Sequence, residues 1–166
     1  LAFKVSAVPF HMWTPDVYEG APTPVTNFLA TVSKGAMFVA LTRLVLDGQF
    51  YQFPSLMFVL TLISVGSMLV GNLLALRQEN VKRLLAYSSI AHFGYLLMVI
   101  IGFSSFKETE EILGLGRDAL TFYLAAYILS TLAAIVVVAN VAKEKKAHID
   151  AFTGLFWKQP IQAATL

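Results

Sequence analysis

Residues 48–76 read GQFYQFPSLMFVLTLISVGSMLVGNLLAL, a run without a single Asp, Glu, Lys or Arg. An α-helix rises about 1.5 Å per residue, so roughly 20 such residues cross the roughly 30 Å of hydrocarbon in a bilayer. A lone apolar strand would leave its backbone groups unpaired in lipid, and the alternation of a membrane barrel is missing, so helix is the state to expect. Two further charge-free runs, 84–106 and 119–142, are also long enough to span, and a fourth stretch, 20–42, carries one charge, Lys34. The pattern predicts an all-α polytopic transmembrane helix bundle with helices near 23–46, 54–76, 82–105 and 118–142.

Composition agrees. Of 166 residues, 12 are Lys or Arg and 10 are Asp or Glu, or 13% charged. Soluble chains carry about twice that share. With 57% apolar residues and a mean hydropathy of +0.70, the chain lacks the polar surface of a soluble enzyme, a disordered tail or a nucleic-acid binder. A net charge of +2 does not argue for a polyanionic partner. The sequence has no Cys, so it offers neither thiolate metal ligands nor a cysteine-ligated iron–sulfur cluster. Gly-rich phosphate loops, HExxH and GxSxG are also missing.

The two ends suggest an internal fragment of a longer polytopic protein, a single membrane domain over 1–166. LAFKVSAVPFHMW is apolar but too short to span, and Pro160 in WKQPIQAATL suits the first turn of another helix. Lipid-crossing helices alternate sides, which groups Arg77, Lys82, Arg83, Lys143, Lys145, Lys146 and Lys158 against Arg43, Lys107 and Arg117. The richer side is expected to face the cytoplasm.

The charges that fall inside the membrane carry the functional signal. Lys34 sits at the midpoint of its helix, where insertion costs about 2.5 to 3.5 kcal/mol and where ionisable residues mark ion pathways. A buried lysine tied to a carbonyl or carboxylate for packing is the plainer alternative. At 100° per residue, Thr23, Asn27, Thr31, Lys34 and Thr42 share a face, which suits either a file of waters or ordinary interhelical hydrogen bonding. In 82–105, Ser88, Ser89, His92 and Tyr95 share a face, and the imidazole of His92 can take a proton on one nitrogen and release one from the other. A packing histidine is the alternative. The first run adds Lys4, Ser6, Pro9 and His11, with Pro9 predicted to break its helix near Lys4. The segment TPDVYEGAPTP reads as a small capped turn, with Thr14 capping and Asp16 and Glu19 at capping-box spacing. Gly66 and Gly71 read as close helix packing, and KEKKAHID as a solvated loop.

Two long motifs, FKVSAVPFHMWTPDVYEGAPTPVTNFLATVSKG and NVKRLLAYSSIAHFGYLLM, resemble the antiporter-type membrane subunits of respiratory complex I, the subunit N type most closely. GLFWKQPIQAA resembles the entry to a later discontinuous helix of that subunit. The resemblance implies two inverted five-helix repeats, each with a broken helix, in the bacterial inner membrane. Lys4 then matches the lysine of the first broken helix, whose glutamate partner would lie outside this sequence. Lys34 matches the central lysine of the midplane axis, His92 the histidine of the SSxxH stretch, and His11 the histidine after the broken-helix proline. The implied work is proton translocation by Lys4, Lys34, His92 and water, driven by electron transfer in partner membrane and peripheral subunits that carry NADH, FMN, iron–sulfur clusters and quinone. This chain would hold no cofactor or metal. A cation/proton antiporter, or a subunit of a related hydrogenase or dehydrogenase, is the alternative; a purely structural membrane subunit is a third reading.

Overall fold

The computed structural model describes residues 2–105, 110–141 and 147–166. Its helices are α1 (Ala2–Val5), α2 (Trp13–Gly20), α3 (Thr23–Asp47), α4 (Pro54–Ala75), α5 (Val81–Ser105), α6 (Glu110–Val141), α7 (Leu155–Lys158) and α8 (Pro160–Thr165). Helices α3, α4, α5 and α6 are long and apolar enough to cross a bilayer, as the charge-free runs require. The chain is an integral, multi-pass membrane protein.

The first helix breaks earlier and more sharply than proline alone demands. Ser6 adopts a left-handed backbone (φ 65), the Ala7 amide donates to the Ala2 carbonyl and the Ser6 amide to that of Phe3. These are the two bonds of a Schellman cap, with serine in the place usually held by glycine. Beyond the cis Val8–Pro9 bond the chain turns, and Trp13 reaches back to stack on Phe3 and to donate to its carbonyl. The expected turn over TPDVYEGAPTP is instead mostly the helix α2. Thr14 does not cap it. It lies inside the helix, and its hydroxyl donates to Ser6 Oγ at 2.5 Å, holding the two halves of the broken segment together.

Nor do Asp16 and Glu19 form a capping box. Arg83 Nη1 meets Asp16 Oδ1 at 2.6 Å and Glu19 Oε2 at 3.0 Å, Asn80 donates to Glu19, and Lys82 Nζ donates to the Ala21 carbonyl. Short-range spacing concealed a long-range ion-pair network that ties α2 to the start of α5. At the same end the Val81 amide donates to the Ala147 carbonyl, and His148 contacts Glu79 and Asp150. His148 therefore pins the connection to residues 79–81 rather than standing free in a solvated loop; Lys143, Glu144, Lys145 and Lys146 lie outside the described residues. Helix α6 is described from Glu110, several residues before the expected 118.

Helices α4 and α5 approach most closely along small residues. A Cβ on Gly71 would lie 2.7 Å from the Ala91 amide nitrogen, and one on Gly94 would lie 2.7 Å from the Ser64 carbonyl. Ser64 Oγ donates to the Gly94 carbonyl at 2.7 Å, and Ser67 Oγ accepts from the Val8 amide. In lipid, where burying apolar surface between helices gains little, such backbone proximity and shared hydrogen bonds drive association. Gly66 differs from Gly71: its Cβ would meet Val8 only at an ordinary 3.5 Å.

Substituting Gly71 with Val is expected to lower the abundance of the assembled protein and destabilise it by about 1 to 3 kcal/mol, whereas Gly66→Ala leaves both unchanged; thermal solubilisation of the membrane complex measures the contrast. Single cysteines at Gln78 and Gln52 should react with an impermeant maleimide from opposite faces, Gln78 from the cytoplasmic one. Labelling of both from one face would contradict the helix order.

Candidate functional site

Lys34 is buried, at 6% exposure, in the middle of α3. The turn that precedes it, Leu29–Ser33, is a π-turn, which widens the helix and is common at functional sites. Its Ala30 carbonyl accepts the Tyr127 hydroxyl of α6 at 3.0 Å. One helical position later, Gly35 allows close approach by Ile128. A Cβ at 35 would lie 3.2 Å from the Ile128 Cδ1 methyl, which would have to give by a few tenths of an ångström.

The Lys34 ammonium donates to Ser89 Oγ at 2.6 Å, and the Ser89 hydroxyl donates to the Ala86 carbonyl at 2.6 Å. On the other side, the Tyr18 ring of α2 presents its face 5.6 Å from Nζ. A desolvated cation over an aromatic face gains about 2 kcal/mol. Among the described residues no carboxylate forms an ion pair with Lys34. The charge is held by a hydroxyl and a π face, neither of which fixes it as a carboxylate would. A narrow crevice beside it is lined by Phe38, Phe93, Leu124 and Tyr127.

One turn along α5 from Ser89, His92 Nδ1 lies 2.7 Å from the Tyr123 hydroxyl. Its ring packs against Tyr95, Tyr123 and Tyr127 at centroid distances of 6.1, 6.0 and 5.3 Å. Tyr95 in turn accepts from Asn72 of α4. Three helices thus place Lys34, Ser89, His92, Tyr123 and Tyr127 in one polar cluster inside an otherwise apolar bundle. An ammonium, two kinds of hydroxyl and an imidazole can all exchange protons or relay hydrogen bonds.

Of the residues singled out in the sequence, Lys34, Ser89 and His92 belong to this cluster. Lys4 does not: it is exposed at the end of α1, with no ion pair among the described residues. His11 is buried, and neither ring nitrogen has a hydrogen-bond partner among the described residues, so no bond joins it to Lys34 or His92. Within the polar stripe of α3, Thr31 donates to the Asn27 carbonyl and Thr42 to that of Phe38, as membrane threonines commonly do, while Asn27 Oδ1 is buried without a hydrogen-bond partner among the described residues. The π-turn also interrupts the 100° spacing on which that face was drawn. Tyr18, Tyr123 and Tyr127 were not recognised from sequence. A signal existed for the last two: FYLAAY puts two polar-tipped rings four apart in a charge-free helix, where each hydroxyl needs a partner.

The sequence was compared with known proteins. The family model described as NADH:quinone oxidoreductase/Mrp antiporter, TM matches residues 1–166. NADH-quinone oxidoreductase subunit N of Ectopseudomonas mendocina (strain ymp) is 49% identical over all of this chain, and that of Methylococcus capsulatus (strain ATCC 33009 / NCIMB 11132 / Bath) 45%. The chain spans about a third of the length of these relatives, 33% of each. Among solved structures, a chain of respiratory complex I from Thermus thermophilus with bound Aureothin is 40% identical with a TM-score of 0.78, over 98% of this chain and 33% of that one. A chain of the membrane-bound sulfane sulfur reductase, an archaeal respiratory membrane complex, is 26% identical with a TM-score of 0.80, over 99% of this chain and 32% of that one. By a family match over its whole length, supported by subunit N relatives at 45% and 49% identity, this chain belongs to the transmembrane family shared by NADH:quinone oxidoreductases and Mrp antiporters.

Proposed function

We propose that the chain forms part of membrane subunit N of a proton-pumping NADH-quinone oxidoreductase and carries protons along the Lys34, Ser89, His92 and Tyr123 cluster. The observation that supports this most is the buried Lys34 ammonium, bonded to Ser89, with His92 one helical turn further along α5 and no carboxylate among the described residues to neutralise it. A membrane lysine kept only for packing would be expected to sit in an ion pair or on backbone carbonyls.

In this reading Lys34 takes up a proton and passes it toward His92, and His92 and Tyr123 exchange it across their 2.7 Å contact. Lys4 and His11 belong to the same axis, on the broken segment, and act with partners contributed by chain beyond these residues. NADH, FMN, iron–sulfur clusters and quinone reside in partner subunits, and this chain, without cysteine, contributes the proton path alone. Neighbouring complex I membrane subunits and lipid cover its apolar outer faces.

A second reading, a cation/proton antiporter module, draws on the Mrp half of the family description and on the fold shared with the sulfane sulfur reductase. The higher identity to subunit N relatives favours the oxidoreductase.

Replacing Lys34 with Ala in the complete complex is expected to reduce NADH-driven proton pumping about a hundredfold, the low end of the roughly 10²- to 10⁴-fold that a positioned proton carrier contributes. Tyr123→Phe, which removes only the hydroxyl facing His92, should reduce it several-fold. Acidification of vesicles by the assembled complex measures both, and wild-type pumping by Lys34→Ala would eliminate the relay. Ion exchange that proceeds without NADH would favour the antiporter.

A further inference from the structure

The direction of the hydrogen bonds around Ser89 carries a consequence for the proton path. A lysine ammonium has three donors and no acceptor, so with Lys34 charged the serine oxygen must accept, and its own hydrogen turns to the Ala86 carbonyl. A neutral lysine amine has a lone pair. The same hydroxyl can then turn and donate to Nζ, while Ala86 keeps the acceptor role its carbonyl has in the helix.

Resting on the relay reading above, we propose that Ser89 is a positioning residue whose hydroxyl reverses direction with the charge on Lys34, holding Nζ in one place through both halves of a transfer cycle. No covalent bond of Ser89 forms or breaks. The proton leaves Lys34 for the next carrier, and the serine O–H rotates from Ala86 to Nζ; uptake reverses the rotation. The groups that face this pair fit the role. Tyr18 on α2 presents a π face, which favours the charged form; the Tyr127 hydroxyl of α6 donates to the Ala30 carbonyl, and the hydroxyls of both tyrosines also face the serine. His92 follows one turn along α5, where an imidazole can receive the proton. Ser89 itself is buried at 2% exposure, so bulk water does not compete for its hydrogen bond.

The test uses the complete complex, with NADH-driven pumping and quinone reduction measured together and assembly checked by native electrophoresis. Ser89→Ala removes the acceptor and is expected to lower protons pumped per electron about tenfold, the scale of a lost hydrogen bond to a charged group. Ser89→Thr keeps the hydroxyl and should recover at least half the ratio. If the extra methyl blocks assembly, Ser89→Cys, of similar size and able both to donate and to accept, takes its place, and recovery above the alanine level again supports the proposal. Equal losses in the alanine and hydroxyl- or thiol-bearing variants, or wild-type pumping by Ser89→Ala beside a defective Lys34→Ala, would overturn the switch and leave the relay standing. Wild-type pumping by Lys34→Ala would overturn both.

Discussion

Everything in the bundle answers to one constraint, the cost of keeping the Lys34 ammonium in hydrocarbon. That cost is a few kcal/mol even when the helix as a whole inserts, and it must be recovered from groups on other helices. Ser89 supplies a hydroxyl from α5 and Tyr18 a ring from α2. Each is useful only if its helix is held in place. The Arg83 network binds α2 to α5, and the glycine and serine seam binds α5 to α4. Gly35 and the Tyr127 bond to the π-turn bring α6 against the same point. The small residues and surface charges thus serve a single buried cation.

How that cation is satisfied also bears on what it can do. A carboxylate would stabilise the charged lysine strongly and oppose loss of the proton. A serine oxygen and an aromatic face stabilise it less and remain compatible with the neutral amine. The structure combines enough support for insertion with a hydroxyl that can serve either protonation state.

The broken segment obeys a different logic. Ser6 in the left-handed region, capped by backbone bonds and by Thr14, ends α1 without leaving its polar groups in lipid, and Ser67 satisfies the Val8 amide beyond the break. Irregular backbone at membrane depth persists where protein supplies such partners. Lys4 ends this structure on an exposed face while His11 is buried, so the break orients the two ionisable groups differently despite their closeness in sequence.

Where the four spans lie, and that they are helices, was legible in the sequence, because bilayer thickness and backbone hydrogen bonding leave no other state for long charge-free runs. Lys34 and His92 were legible for the same reason: an ionisable group in hydrocarbon stands out from its neighbours. Three features were not. Asp16 and Glu19 matched a local capping pattern while their partner, Arg83, lies more than sixty positions away. The π-turn before Lys34 changes helical phase without a proline or glycine inside it to mark it. Tyr18, Tyr123 and Tyr127 read as ordinary aromatics until packing brought them to Lys34 and His92. Sequence alone determined which residues must be buried in the membrane, since that depends on one chain's polarity against lipid. Only the tertiary structure decided which of them meet, since hydrogen bonds of 2.6 to 3.0 Å depend on the relative placement of helices that no local spacing encodes.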